Sequence, residues 1–339
     1  MKYPDEDIIE LSYDREGEDA LEADNDPIVT EVLYNGRNQL TQLDLGSGLE
    51  TTYAYHGSGD NFRLQGISVD SGSILDLEYT YDDVGNVNTI FDDKNGDETL
   101  TFVYDHLDRL TSVTGSSYSR SYTYDRLGRF DTFNGVDHDY NDANHEHAVS
   151  DLGTGEEFTY DANGNMIGRE DASGDYTQEF DYENRLTTVT NTTTISVTQF
   201  LYDADGQRMK TVEPDGTVIY TPFPGYEKEV RDGGETIERS YYTLVGQVIA
   251  VRIKTSPTAD PNDGLYFIHQ DHLGSTSVLS DSDGGKKGDY IQHHPFGGYR
   301  TEPNPELIDR GFTGHRGNTD IGLIYMNARF YVPSIAQFA

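Results

Sequence analysis

The sequence has no cysteine, few basic residues and no long apolar run. With Cys 0 in 339 residues, disulfides cannot link parts of the chain. No apolar stretch approaches the roughly 18 residues that a membrane-spanning helix requires. Met1 to Asp26 is acidic and lacks the positive-then-apolar order of a signal peptide. We therefore expect export, if it occurs, to use a nonclassical route or an upstream segment.

The shortage of positive charge excludes two classes of partner. Lys and Arg total 24 against 61 Asp and Glu, which gives a formal net charge of -37. Nucleic-acid binding requires a Lys/Arg footprint, and anionic membranes also attract basic surfaces. Three explanations of the acidity remain open: a surface kept soluble by self-repulsion, a high-salt habitat, or bound divalent cations.

Aromatic residues are abundant, and their arrangement predicts a folded β protein. Tyr 25 and Phe 14 bring the aromatic share to 12%, whereas disordered chains are poor in aromatics. Polar residues alternate with β-branched and aromatic ones, as in half-buried strands. No stretch longer than about ten residues has a 3.6-residue apolar period, so we expect little helix.

A tyrosine recurs about every 20 residues, followed in seven of nine cases by Asp or Asn and a turn. Its members are Tyr34, Tyr55, Tyr81, Tyr104, Tyr124, Tyr140, Tyr160, Tyr182 and Tyr202. A fixed period of this size indicates that one small unit is stacked many times. Such arrays primarily build extended surfaces or walls, which favours a structural role over an enzymatic one.

Each unit is predicted to be a β-hairpin. Residues 77–81 alternate apolar and polar, residues 82–86 supply turn chemistry, and residues 87–90 begin the return strand. The motif residues that we assign to the repeat are Tyr81, Asp82, Gly85, Tyr104, Asp105, Tyr124, Asp125, Gly128, Tyr160, Asp161, Gly164, Tyr202, Asp203 and Gly206. A second turn type, at residues 92–97 and 172–175, is expected to join successive hairpins.

Four segments are predicted along the chain. Residues 1–29 form an acidic lead-in, partly disordered or with one strand over residues 8–13. Residues 30–220 form the hairpin array. Residues 221–264 form irregular connecting strands and a loop. Pro222 and Pro224 interrupt the repeat here, because proline has no backbone N–H to donate to a sheet hydrogen bond. Residues 265–339 form a fourth segment, which does not follow the Tyr-Asp repeat.

The last segment contains four ordered landmarks. They are His269-Gln270-Asp271-His272-Leu273-Gly274-Ser275-Thr276, then Pro295-Phe296-Gly297, then Phe312-Thr313-Gly314, then Gly322-Leu323 with Arg329, Tyr331 and Pro333. Together with the upstream Tyr-Asp hairpins, they resemble the RHS/YD-repeat family and its repeat-associated core segment. The resemblance covers residues 30–339.

The resemblance implies an all-β shell. Family repeats spiral into a hollow wall, and the core segment closes one end. In polymorphic toxins such shells hold a C-terminal effector, and in animal adhesion proteins they carry no toxin. Spiralling pairs strand edges and so removes an aggregation hazard. His269, Asp271 and His272 become, on this resemblance, a structural motif of the closing segment.

The chain departs from the family where many members place an aspartyl autoprotease. Asp320 lies close to the place of the first catalytic aspartate, but the second would lie beyond Ala339. An acid dyad needs two carboxylates that share a proton. We therefore expect no self-cleavage, with Asp320 as half of an incomplete dyad. The repeat count is also smaller than in most family shells.

Other candidate sites have simpler structural explanations. The histidine pairs His269/His272, His145/His147 and His293/His294 lack a compact set of three or four ligands, so we predict no metal and no cofactor. Residues 203–206 and 281–284 resemble the start of a Ca²⁺ loop but lack its closing glutamate. Ser275 and Ser277 have no nucleophile elbow around them. The tyrosines could face a cavity, but we favour cross-strand packing.

The sequence therefore predicts a non-enzymatic β shell at the cell surface or outside the cell. Its partners would be an enclosed polypeptide or effector domain, or further RHS repeats. One alternative is an extracellular adhesion or glycan-binding module on the same shell. A second alternative is a truncated aspartyl autoprotease.

Overall fold

The computed structural model describes residues 3–4, 7–13, 17–94 and 98–339. Within these ranges the chain is built of β-strands, with no α-helix and three single-turn 3₁₀ segments, at Ser58–Asp60, Phe312–Gly314 and Thr319–Ile321. The predicted all-β class is confirmed. The turn predicted at residues 92–97 falls partly on residues 95–97, which lie outside the described residues.

Strands β1 to β14 form one antiparallel sheet, in which every strand pairs with its neighbours in sequence. Their bounds are Ile9–Tyr13, Glu18–Ala23, Asp26–Tyr34, Leu40–Leu45, Glu50–Tyr55, Leu64–Val69, Leu75–Tyr81, Val87–Asp92, Glu98–Tyr104, Leu110–Thr114, Ser119–Tyr124, Phe130–Phe133, Val136–Asp139 and Asp151–Leu152.

Strands β15 to β27 form a second sheet with the same sequential order. Their bounds are Phe158–Tyr160, Met166–Asp171, Gly174–Phe180, Leu186–Asn191, Ser196–Tyr202, Arg208–Val212, Val218–Phe223, Tyr226–Val230, Thr236–Leu244, Gln247–Ser256, Gly264–Gln270, Thr276–Asp281 and Lys286–Lys287. A bridge between Asp151 and Glu157 links the two sheets at their junction. The wall is thus one long meander of hairpins.

Residues 288–339, which we name the C-terminal insert, leave the meander. They form the strand pair β28 (Gln292–His293) and β29 (Tyr299–Thr301). A four-stranded sheet follows, made of β30 (Arg316–Asn318), β31 (Leu323–Met326), β32 (Arg329–Val332) and β33 (Gln337–Phe338).

The hydrophobic core has different packing partners at different places along the wall. In one cluster the two sheets pack directly, with Leu21 and Ile67 of the first sheet beside Tyr242 and Phe267 of the second. In another cluster the second sheet packs on the insert, as Phe200 does on Phe330. Burying each such side chain contributes about 1.5–3 kcal/mol. The insert therefore takes the place that a facing sheet occupies elsewhere.

The strands follow the predicted alternation. In β7 the residues Leu75, Leu77 and Tyr79 are buried, while Glu78 and Thr80, which point to the opposite face, are exposed. Two long strands, β23 and β24, flank the turn at Gly246. The predicted turn of the second type at residues 172–175 joins β16 to β17, where Asp171 pairs with Gly174.

Two segments contain more strand than the sequence predicted. The single strand expected over residues 8–13 is β1, but the acidic lead-in also contributes β2 and the start of β3. Leu21, Ala23 and Ile28 of this lead-in are buried, which explains why its described residues form strands. Pro222 lies inside β21, and the register shift between Tyr220 and Phe223 accommodates its missing N–H.

Candidate functional site

The Tyr-Asp turn has the same hydrogen bonds in each regular repeat. At Asp82 one side-chain oxygen, Oδ1, accepts the backbone N–H groups of Val84, Gly85 and Asn86 at 3.1, 2.7 and 2.8 Å. The backbone N–H of Asp82 donates to the carbonyl oxygen of Asn86. The same carboxylate geometry recurs at Asp105, Asp125, Asp161, Asp181 and Asp203. The aspartate therefore builds the turn by satisfying backbone donors.

The third residue after the aspartate adopts positive φ. Gly85 has φ 109° and Gly206 has φ 81°. Where glycine is missing, Asp108 and Asn184 take the same place at φ 60° and 59°. This conformation explains why the motif contains glycine and why only Asp or Asn replaces it.

In six repeats the tyrosine ties its hairpin to the preceding one. The hydroxyl of Tyr81 donates to the carbonyl oxygen of Leu64 at 2.8 Å, and that of Tyr124 donates to Leu110 at 2.7 Å. Equivalent bonds are made by Tyr55, Tyr104, Tyr160 and Tyr202. Cross-strand bonding of this kind supports the packing interpretation of the tyrosines over a ligand-facing one.

Arginines at the fourth position after the aspartate reinforce several turns. Arg109 pairs with Asp105 at 2.6 Å, and its guanidinium stacks 4.3 Å from the ring centre of Tyr124 in the next repeat. The hydrogen bond from Arg109 lowers the pKa of Asp105 to about 2. Arg129 repeats the arrangement with Asp125 and Tyr140. Successive turns are therefore linked along the rim of the wall.

One predicted repeat tyrosine was assigned wrongly. Tyr182 is fully exposed at a turn tip. Phe180 and Asp181 occupy the motif positions instead, since Phe180 pairs with Leu186 as Tyr81 pairs with Val87. Phe180 takes the place of the repeat tyrosine here, and it lacks the hydroxyl but has the same pairing position. The spacing pointed to Tyr182 instead because Tyr182 is only two residues away.

The first C-terminal landmark lies in the wall and not in the insert. Residues 269–276 form hairpin β25–β26, and Asp271 accepts the backbone N–H groups of Leu273 and Ser275, each at 2.8 Å. Gly274 has φ 78°, as in a Tyr-Asp turn. His269 is buried and contacts Ser280 at 2.8 Å, and burial lowers its pKa to about 4. His272 packs on Tyr79 of the facing sheet.

The Pro295-Phe296-Gly297 landmark anchors the insert to the first sheet. Phe296 packs against Tyr122 and Phe130, with ring centres 5.0 and 5.3 Å apart. Its carbonyl oxygen accepts the hydroxyl of Tyr331 at 2.9 Å, which ties β32 to the same place. Gly297 has φ 93°, which closes the turn between His294 and Gly298.

The last landmark anchors the insert to the second sheet. Leu323 is buried in the cluster that contains Phe200. A Cβ at Gly322 would lie 2.5 Å from the Oγ of Ser173, so only glycine fits there without displacement. Arg329 stacks on Phe338, 3.9 Å from the ring centre, and Pro333 follows β32 near the end of the chain.

A buried ion network that the sequence did not predict holds β22 and β23 to the insert. Arg239 donates to Glu227 at 3.1 Å and to Glu229 at 2.9 Å. Glu227 also pairs with Arg316 of β30, which pairs in turn with Asp309 at 2.5 Å. The only signal in the sequence is the run of charged residues in β22, which surface strands share.

Asp320 lies near a second carboxylate, but not the one that the family resemblance implies. It belongs to the 3₁₀ segment Thr319–Ile321, and its backbone carbonyl accepts the hydroxyl of Tyr176 at 3.2 Å. Burial and then the charge of Asp320 raise the pKa of Glu213 to about 7. Glu213 occupies the aspartate position of the turn between β20 and β21. Glu213 therefore titrates near neutral pH.

The remaining candidates show turn or packing contacts. Asp203 and Asp281, at the suspected Ca²⁺ loops, each use Oδ1 to cap their own turns. His145 contacts Asp142 at 2.7 Å, and His294 stacks on Tyr118. Among the residues that the structure describes, no three His, Cys, Asp or Glu side chains form a metal-ligating group.

The comparisons with known proteins agree with this geometry. The family model described as Teneurin YD-shell matches residues 60–217. A structure of the Photorhabdus luminescens Tc holotoxin pore superposes with a TM-score of 0.81 at 19% identity over 99% of this chain and 19% of that chain. The crystal structure of TcdB2-TccC3 gives a TM-score of 0.78 at 19% identity over 98% of this chain and 20% of that one. The predicted resemblance to RHS/YD-repeat shell proteins is confirmed.

The curated relatives that this chain matches are longer proteins. It is 28% identical over 272 residues to the tRNA3(Ser)-specific nuclease WapA of Bacillus spizizenii, covering 77% of this chain and 9% of the relative. It is 24% identical to Toxin subunit YenC1 of Yersinia entomophaga, covering 90% of this chain and 38% of the relative. The chain thus spans less than two-fifths of either relative. In its described part, no helix is long and apolar enough to cross a membrane.

Proposed function

We propose that this chain is a non-enzymatic wall of an RHS/YD-repeat shell that encloses a polypeptide effector. The observation that carries the proposal is the insert, which packs on both sheets of the wall. Phe296 contacts the first sheet, and Phe330 contacts the second. Relatives named as a nuclease and as a toxin subunit support an effector-bearing context. We place the function outside the producing cell or on its surface.

The position of the insert suggests how a polypeptide would be held. The backbone N–H of Ala339 donates to Phe330 at 2.8 Å, and the Gln337 side chain donates to the carbonyl oxygen of His147 at 3.1 Å. A polypeptide joined to Ala339 would therefore start beside the inner core. Partners of the wall would be that polypeptide and further RHS repeats.

Scattering and proteolysis test the proposal. A closed particle of this length has a radius of gyration of about 20 Å, whereas an open ribbon is larger. The same unstructured reporter peptide is then attached either after Ala339 or before Met1. We expect protease to remove the C-terminal reporter at least about tenfold more slowly. Equal rates of removal would argue against enclosure.

The enzymatic alternative has its own test. Prolonged incubation of purified residues 1–339 between pH 4 and pH 8 should leave one intact mass, because the carboxyl group that interacts with Asp320 is that of Glu213, which belongs to a hairpin turn. A fragment that disappears in Asp320→Asn would show the autoprotease role instead. Glycan-array binding by a particle that encloses nothing would favour the adhesion alternative.

A further inference from the structure

A cavity of about 330 Å³ lies between strands β20 to β22 of the second sheet and the insert. Its volume falls within the range of small-molecule sites, roughly 300–1,000 Å³. Phe223 and Tyr226 from the wall and Tyr325 from the insert give it an aromatic lining. We name it the Arg208 cavity, after the arginine at the start of β20 that also lines it.

The charged groups of this cavity are mainly basic, although the chain is strongly acidic. Three arginines and a histidine line it, namely Arg208, Arg310, Arg316 and His315. Among the described residues the only carboxylate of the lining is that of Asp203, whose Oδ1 accepts the backbone N–H groups of Asp205 and Gln207. A chain with 61 acidic and 24 basic residues thus contains a cavity in which a ligand would meet positive charge.

Arg208 is a buried guanidinium that no carboxylate of the described residues contacts. It is 5% exposed, and its Nη1 donates to a neutral acceptor, the Oδ1 of Asn318, at 3.2 Å. Its guanidinium also lies 4.2 Å from the ring centre of Tyr325. The carboxylates of Asp309 and Glu213 act on Arg208 from beyond ion-pair distance. Because a buried arginine is normally paired, the charge of Arg208 calls for an anion.

The free N–H groups of two arginines are accessible. Nε and Nη2 of Arg208 have no acceptor among the described residues, and neither is one of the enclosed polar atoms without a partner, so both have accessible surface. Arg310 stacks 4.3 Å from the ring centre of Tyr241, and only its Nε is enclosed, which leaves both Nη atoms accessible. A ligand in the cavity can therefore meet guanidinium donors, whose fork geometry matches the two oxygens of a carboxylate.

One negative charge balances this lining better than two. Arg316 is already paired with two carboxylates. Arg208 and Arg310 bring two positive charges without an ion pair to any described residue, and Asp203 brings one negative charge. The lining is therefore left with a surplus of one positive charge. A carboxylate carries one negative charge, whereas a phosphate monoester carries about 1.5 to 2 near pH 7.

We propose that the Arg208 cavity binds an organic carboxylate on an apolar body. The carboxylate would accept N–H groups of Arg208 and Arg310, and the apolar body would pack on Phe223 and Tyr325. A free small acid and the C-terminal carboxylate of a polypeptide both have this chemistry. The proposal does not depend on the shell function, because it rests on the cavity alone.

Matched probes test the charge requirement. The purified chain is titrated by calorimetry, at fixed ionic strength, with 3-phenylpropanoate, neutral 3-phenylpropan-1-ol and 2-phenylethyl phosphate. We expect the carboxylate to bind at least about tenfold more tightly than the alcohol, and more tightly than the phosphate. Equal binding of carboxylate and alcohol, or no binding of any probe or peptide, would overturn the proposal. Tighter binding of the phosphate would overturn the choice of a carboxylate.

A histidine of the lining reports binding at the site itself. Burial and the charge of Arg310 lower the pKa of His315. A carboxylate bound beside Arg310 would offset that charge, so the pKa of His315 should rise when 3-phenylpropanoate saturates the protein. NMR titration of ¹⁵N-histidine-labelled protein measures this change, and His106, which is exposed outside the cavity, should keep its pKa. An unchanged pKa of His315 in the saturated protein would contradict the assignment.

Variants locate the site. Arg208→Gln and Arg310→Gln should each weaken the binding of 3-phenylpropanoate about tenfold. Arg310 is half-buried and has no ion pair to a described residue, so its variant should fold even if the Arg208 variant does not. The control Arg126→Gln, at an exposed turn position outside the cavity, removes the same charge and should leave affinity unchanged. If the control weakens binding as much as Arg310→Gln, the assignment fails.

A peptide arm identifies the source of the carboxylate. An acetylated pentapeptide that ends in Phe with a free C-terminal carboxylate is compared with its C-terminal amide. Tighter binding of the acid peptide than of 3-phenylpropanoate supports a polypeptide ligand, and the reverse supports a free small acid. Binding of the amide peptide at equal affinity would contradict the carboxylate requirement.

Discussion

Arg316 of the insert contacts the carboxylate of Glu227 on β22, and both side chains are buried. The wall and the segment packed against it therefore share a charge pair that neither could bury alone. Burying an ion is costly unless it is paired, so this contact ties the ordering of β22 to the docking of the insert.

Removing one member of this pair should destabilise the protein strongly. Arg316→Met leaves Glu227 with Arg239 as its remaining partner, and we expect a loss of about 3 kcal/mol in urea unfolding. The double variant Arg316→Met/Glu227→Gln should recover part of that loss. Lys94→Met, which removes a surface ion pair with Asp93, should cost less than about 1 kcal/mol. Similar losses at Arg316 and Lys94 would contradict the buried-pair account.

The tyrosine hydroxyls should contribute to stability individually. Tyr124→Phe keeps the ring but removes the 2.7 Å hydrogen bond to Leu110, so we expect a loss of about 1 kcal/mol in the free energy of unfolding. Tyr182→Phe is the matched control, because Tyr182 is fully exposed, and it should change stability by less than about 0.5 kcal/mol. Indistinguishable variants would mean that the repeat tyrosines act only through packing.

The Glu213–Asp320 pair should make stability depend on pH near neutrality. The folded-state pKa of Glu213, about 7, is above its ordinary value of 4.5, so the folded protein holds more protons between these values. Stability from this group is present below about pH 4.5 and is lost as pH rises through about 7. Glu213→Gln should raise the melting temperature at pH 8.5 by about 2 °C or more and leave it unchanged at pH 4. A constant difference across this range would contradict the prediction.

Replacing a turn glycine that has positive φ should destabilise the protein even where the new side chain would meet no other atom. An added Cβ at Gly206 meets nothing within 4 Å, so Gly206→Ala tests backbone strain alone. We expect a loss of about 1–2 kcal/mol, and a smaller loss for Gly206→Asn, since Asn184 adopts the same φ. Gly36→Ala is the control, because Gly36 also has open space but no positive φ. Equal losses at Gly36 and Gly206 would remove strain as the cause.

Local pattern sufficed to predict most of the wall. Alternation predicted the strands, and the run Tyr81-Asp82 to Asn86 predicted the turn that the carboxylate of Asp82 builds. The same reasoning failed at Tyr182, because spacing alone could not distinguish the tyrosine from Phe180, two residues earlier. It also underestimated the lead-in, where acidic residues outnumber the few apolar ones that are buried.

Long-range partners could not be predicted from local pattern. Glu213 meets Asp320, and Glu227 meets Arg316, across about a hundred residues of sequence. A charged residue in a strand looks the same whether it faces solvent or a buried partner.

The strictly sequential pairing of the wall strands has a consequence for how such a chain can change its length. Adding or deleting one hairpin leaves every later strand running in its original direction with its original face inward. A single added strand would reverse all that follow. Length variation among such walls should therefore proceed in whole hairpins, so that duplication changes the length of the wall and leaves the chemistry of each repeat unchanged.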